Sequence, residues 1–151
     1  METVTLETKT GGRLHLTGTP ARHGPAGIEP IAGDVTGFLV GVDRPGDAIY
    51  VTGDTVWYSG LAEVAKRFPA RLVIVFAGAA KPRGPFHVTM DDNDAIETAH
   101  AFPQARILAI HNSGWDHFTE TQADAVKAFT TLGVKERVQT MDRGDTVSLQ
   151  L

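Results

Sequence analysis

Residue types that bind divalent metal ions stand where several expected strands of this chain end. Asp54 follows the run Ile49–Thr52 through one glycine, in Gly53-Asp54-Thr55. His111 ends the run Ile107–Ile110 and opens the loop His111-Asn112-Ser113-Gly114-Trp115-Asp116-His117. His23 lies in the loop leaving the strand Arg13–Gly18, and His87 in the loop after Leu72–Phe76. Ligand crevices of α/β sheets lie outside the carboxyl ends of the strands, so side chains at several such ends can converge. Carboxylate oxygen and neutral imidazole nitrogen both bind a zinc-like ion at about 2 Å, and the ion brings bound water toward a pKa of about 7. The spacing matches no compact finger or His-Glu-x-x-His pattern. Plainer readings therefore stand beside the metal one. Gly-Asp-Thr after a strand also makes a turn or helix cap, and a lone histidine also serves as a partly buried polar residue.

The elements that must position these residues read as α/β. Val4 and Leu6, then Leu14 and Leu16 after the Gly11-Gly12 turn, alternate with polar neighbours as strands do. Val35–Val42 and Ala48–Thr52 follow, separated by a Pro45-Gly46-Asp47 turn, and complete an antiparallel meander. The Pro-, Gly- and Ala-rich segment Thr19–Gly33 reads as a long loop, a kind that is usually functional or disordered. From Gly53 onward strands alternate with helices. Leu61, Val64, Ala65 and Phe68 share one helical face that ends at Pro69. Leu72–Phe76 and Ile107–Ile110 are continuous apolar strands of the kind covered on both faces. Asp91 or Asp92 caps a helix to about Phe102, and the Asp91, Asp92 and Asp94 group reads as helix-start chemistry. Thr119 with Gln122 forms a capping box for a helix through Leu132, closed by Gly133, and Asp142–Leu151 ends the chain as a turn and an alternating strand. Ala77–Ala80 is expected as a tight turn beside the crevice, and His15 at a surface position. Three helices are too few to cover both faces of strands this apolar. A layer is expected to be absent from the chain or supplied by something that docks.

Composition narrows the function classes. The chain has 151 residues, a net charge of −4 and 42% apolar residues, which suits one globular domain over residues 1–151. No basic cluster marks a nucleic-acid track. There are no cysteines, which excludes disulfides and thiolate ligands. The start, METVTLETKTGG, has no apolar core of a signal peptide, and the longest apolar run, Leu72–Ala80, is too short to cross a bilayer. A cytoplasmic protein with no nucleic-acid or membrane partner is expected.

Several blocks, in order, resemble the second half of metallo-β-lactamase-fold hydrolases, and most closely the L-ascorbate-6-phosphate lactonase-like branch. They are Thr19-Pro20-Ala21-Arg22-His23-Gly24-Pro25, Val35-Thr36-Gly37-Phe38, Tyr50-Val51-Thr52-Gly53-Asp54-Thr55, His87-Val88-Thr89-Met90 and the stretch His111–Glu120. The resemblance implies half of an αββα sandwich, with His23 completing one metal site, Asp54 bridging two metals and His111 serving the second. It implies one or two ions, zinc or else manganese or iron. In the family a metal-bound hydroxide attacks the carbonyl of a lactone, ester or amide, or the phosphorus of a phosphodiester. Asp54, His87 and His117 are then the catalytic candidates, the two histidines lining the pocket to orient a small-molecule substrate or give a proton.

The family's His-x-His-x-Asp-His run has no counterpart in the sequence and would precede Met1. The resemblance therefore covers the C-terminal half only. It implies a truncated hydrolase whose site is completed by a homodimer or by an N-terminal half. A non-catalytic remnant, assembling with itself or a partner as an interaction module, is the other expectation.

Overall fold

The computed structural model describes residues 1–149. Its first four strands are the meander: β1 (Thr3–Glu7), β2 (Arg13–Pro20), β3 (Thr36–Gly41) and β4 (Ile49–Val51), each antiparallel to the next. Between β3 and β4 the Asp47 carboxylate accepts from the amides of Val42, Asp43 and Arg44, which closes the expected turn. The one-turn helix α1 (Glu29–Ala32) punctuates the long loop after β2. Then follow α2 (Ser59–Arg67), β5 (Leu72–Phe76), α3 (Asp92–Ala101), β6 (Arg106–Ile110), α4 (Gln122–Thr131) and the two-residue β7 (Val138–Gln139). From β4 to β7 neighbouring strands are parallel, and all seven lie in one sheet in sequence order.

Strand direction decides where the site forms. Since β3 opposes both β2 and β4, strand β2 runs the same way as β4, β5 and β6. The carboxyl ends of these four strands therefore share one edge of the sheet. The loops carrying His23, Asp54, Ala77–Ala80 and His111 all leave from that edge.

One face of the sheet holds the core. Leu39, Tyr50, Val73, Val75, Ile107 and Ala109 pack with Leu61 and Val64 of α2, Ala95 and Ala99 of α3, and Ala125 and Phe129 of α4. The alternate strand positions face away from the helices. Cross-strand registers align them into rows, Val4-Leu16-Val40-Ile49-Leu72 and Phe38-Val51-Ile74-Leu108. Much of this surface meets solvent, with Val4 54% and Phe38 50% exposed, although Leu72 and Leu108 are buried. One helical layer on one sheet is the architecture expected of half a sandwich. Among the described residues no helix is long and apolar enough to cross a membrane.

Two expectations are corrected. The capping box of α4 is made by Thr121 and Asp124, not Thr119 and Gln122. Thr119 is already engaged: its hydroxyl donates to the Ala79 carbonyl and its amide to the Gly78 carbonyl. The segment expected as a closing strand forms a turn at Asp142–Asp145 and no strand through residue 149; its last two residues lie outside the described ones. The last sheet position is held instead by Val138 and Gln139 beside Ile107 and Leu108.

Candidate metal centre

The turn at Gly53 lets β4 deliver Asp54 to the sheet edge. Gly53 has φ +67°, and a Cβ there would lie 2.5 Å from the Thr36 carbonyl oxygen, so the position excludes other residues. Asp54 is then fixed relative to the His23 loop by two cross-links. The Arg22 amide donates to Thr55 Oγ1 at 2.9 Å, and the Val56 amide donates to the Arg22 carbonyl at 2.9 Å.

His23 is oriented by α1. Its Nδ1 lies 3.0 Å from the Ala32 carbonyl, which can only accept, so Nδ1 carries the proton and Nε2 keeps its lone pair. This is the outer-shell contact that commonly fixes the tautomer of a metal-ligating histidine.

His111 occupies the left-handed region, at φ +56°, where only a few per cent of non-glycine residues are found. Its ring sits between Phe76 and Phe118, with centroids 5.0 and 4.8 Å away. That clamp aims Nδ1 at Asp54, 3.5 Å from Oδ1, too far for a good hydrogen bond. Both atoms are sealed from solvent, and neither has a hydrogen-bond partner.

Unpaired buried polar atoms cost roughly 1–3 kcal/mol each. A facing carboxylate oxygen and imidazole nitrogen, both unsatisfied, are a donor set suited to a divalent cation. His23, Asp54 and His111 line one recess of about 190 Å³ together with His117, Trp115 and Thr89. The residues fit a metal centre. Among the described residues these three do not form a group with ligand atoms within 4.8 Å of one another.

His87 is placed elsewhere. It lies in a neighbouring recess with Arg22, Trp57 and Asp94, its Nε2 3.3 Å from Asp94 Oδ2 and its Nδ1 3.7 Å from Asp91 Oδ2. His87, Asp91 and Asp94 offer ligand atoms within 4.8 Å of one another and could hold an ion. Unlike the Asp54–His111 pair, these carboxylates already have tasks. Asp91 caps α3 by accepting from the Asp94 amide, and Asp94 also accepts from the Trp57 amide. No local pattern marks Asp94 as a clasp between α3 and the loop before α2. Trp115, inside the His111–His117 block, is 63% exposed with its ring 5.7 Å from that of His117, and it forms a wall of the recess.

Next to this clasp the starts of α3 and α4 crowd carboxylates. Burial, then the charges of Glu120, Asp124 and Asp91, push Asp92 up to about 7. Burial also raises Asp94 and Glu120. A carboxyl raised in the folded state binds its proton more tightly there than in the unfolded chain. Its favourable contribution is complete below about pH 4 and is lost as pH rises through about 7. Asp92→Asn is accordingly expected to raise Tm over the parent little at pH 4 and most at pH 8. A gain independent of pH in thermal melts would contradict this assignment.

Comparison with known proteins bears on the family and the fold. The Beta-lactamase superfamily domain matches residues 2–112, which include His23, Asp54, His87 and His111. The UPF0173 protein YddR of Bacillus subtilis (strain 168) is 24% identical over 135 residues, covering 88% of this chain and 52% of that protein. A structure described as a possible metal-dependent hydrolase from Veillonella parvula superposes with a TM-score of 0.84 at 24% identity, over 96% of this chain and 56% of the other. An isothiocyanate hydrolase from Delia radicum gut bacteria gives 0.82 at 23% identity, over 96% and 57%. The chain thus spans about half the length of the relatives it matches. With residues 2–112 of its 151 matched by the family model, the chain belongs to the family of the Beta-lactamase superfamily domain.

Proposed function

We propose that this chain carries one half of the active site of a metal-dependent hydrolase acting on a lactone, ester or phosphodiester. The observation behind the reading is the unpaired, buried couple Asp54 Oδ1 and His111 Nδ1 in the recess that His23 also lines. Asp54 is assigned the bridging position, His23 one ion and His111 the other, with zinc preferred over manganese or iron. Such ions, when bound, polarise a carbonyl or phosphoryl oxygen and bring coordinated water toward a pKa of about 7. The protein's own part is to position. His117 is assigned to orient the substrate or pass a proton to the departing oxygen. His87 is assigned a supporting place, since it anchors the loop whose Val88 and Thr89 line the recess. The motif order supports the L-ascorbate-6-phosphate lactonase-like branch, without carrying over a phosphorylated substrate.

In this reading a lone copy is incomplete. Support comes from the apolar rows on the sheet face away from the helices, where Val4, Leu16 and Phe38 are exposed. The occupant we assign to them is an N-terminal half-fold bearing the remaining ligands; pairing of two copies about a twofold axis is the alternative. The same exposed rows favour one second reading, a non-catalytic module that assembles through this face.

The test uses the chain purified without chelator. Metal per chain is measured together with mass in solution and hydrolysis of γ-butyrolactone, p-nitrophenyl acetate and bis-p-nitrophenyl phosphate; likeness to the isothiocyanate hydrolase adds benzyl isothiocyanate. Expected is roughly one to two zinc ions per chain, with zinc-dependent turnover of a panel member in the assembled form. A chain that takes up no zinc at either site rejects the hydrolase reading and leaves the module.

A further inference from the structure

Beside the metal recess lies a second one of about 230 Å³ that the proposed chemistry does not use. The two share His23, Pro82 and Val88 as walls and so adjoin. The remaining lining is apolar, Ile28, Ile31, Ala32 and Phe86, with Arg83 as the one charged side chain. Two of these are large apolar groups left in solvent, Ile31 at 78% and Phe86 at 36% exposed. Ile31 sits on α1, which buries none of its own residues and so contributes nothing to the core. That turn is nevertheless held in place: the Gly27 amide donates to Glu29 Oε2 at 2.7 Å, and His23 Nδ1 donates to the Ala32 carbonyl. The contact that sets the His23 tautomer thus also anchors the wall bearing Ile31.

We infer that this recess is a specificity pocket for an apolar arm, aryl or short alkyl, attached next to the electrophilic carbon of a neutral substrate. This inference rests on the hydrolase reading and narrows it to lactones and esters. Size allows it, since a closed apolar cavity of about 150 Å³ already holds a benzene ring. Chemistry favours it over a phosphorylated substrate. A phosphate calls for several converging donors, and the pocket offers a single guanidinium, that of the exposed Arg83. Ligand pockets are typically apolar with a few placed polar groups, and here His23 at the shared wall marks the polar end.

The experiment uses the full chain, metal-free and zinc-loaded, titrated with γ-butyrolactone, α-phenyl-γ-butyrolactone and phenyl phosphate, with isoleucine and valine methyl NMR shifts as the readout. The phenyl lactone is expected to bind about tenfold tighter than the unsubstituted ring, shifting the methyls of Ile28, Ile31 and Val88 in both forms. Ile31→Asp and Phe86→Ala, both at exposed positions, should each reduce that preference several-fold while the folded spectrum persists. Equal affinities for the two lactones, shifts confined to the open sheet face, tighter binding of phenyl phosphate, or no binding at all would each overturn the pocket. Failure to bind zinc with the phenyl preference intact would sink the hydrolase reading and uphold the pocket. Zinc binding without the preference would do the reverse.

Discussion

Replacing Asp54 by alanine is expected to weaken zinc binding by at least about 100-fold and to leave the metal-free protein at least as stable as before. The first part follows from its place opposite His111 Nδ1 as an oxygen with no other partner. Even outer-shell partners of metal ligands cost about 10–100-fold when lost. The second part follows from the same fact. Asp54 Oδ1 is buried and accepts no hydrogen bond, so truncation removes an unsatisfied group; with the side chain 38% exposed, the metal-free variant should match the parent or exceed it by up to about 1 kcal/mol. Zinc at about 100 times its Kd should stabilise the parent by about 2.7 kcal/mol, a rise of about 5–10 °C for a domain of this size. The variant should show almost none of that rise. Melting curves with and without zinc read both halves of the claim, and an undiminished zinc-dependent shift in Asp54→Ala would remove the carboxylate from the site.

Gly78→Ala should do the opposite, breaking the fold at the site before metal is considered. A Cβ at Gly78 would overlap the His111 carbonyl oxygen and come within 2.9 Å of Phe118 Cδ1. The Gly78 carbonyl meanwhile accepts from the amides of Thr119 and Glu120, which holds the loop after β6 against the loop after β5. Neither backbone can withdraw without breaking these bonds, so the cost is put at about 2–4 kcal/mol. The disturbed element is the one that keeps His111 left-handed between Phe76 and Phe118, so zinc binding should fall with stability. Gly18→Ala is the control. A Cβ at Gly18 meets nothing within 4 Å, and its effect should be small. Denaturant midpoints that place the two variants together would refute the close-approach argument.

The contrast between these glycines shows what the sequence could and could not disclose. Period-2 alternation and apolar runs located the strands that build the sheet, because their side-chain pattern is imposed by the core they enter. His23, Asp54 and His111 could be drawn to one edge because strand ends in such sheets share an edge. Side-chain direction was not legible. His87 stands in a loop that also lines the metal recess, yet its ring turns to Asp94, a residue seven places on whose carboxylate also takes the Trp57 amide. The α4 cap failed for a related reason. Thr119 with Gln122 and Thr121 with Asp124 offer the same local signal two residues apart. What separates them is the Ala79 carbonyl, 40 positions away, which claims the Thr119 hydroxyl. The final strand failed because alternation states only that a segment could pair. Val138 and Gln139 hold the place beside β6, and the following residues form a turn.

The two links between Arg22 and the Thr55–Val56 segment have a kinetic meaning. They clasp the backbones that carry the first imidazole and the carboxylate without using either side chain. An arriving ion need not wait for a disordered loop to find its shape, because the jaws are already set. Capture can then proceed at the pace of encounter and dehydration, and slow release rather than slow uptake would govern how long the ion stays.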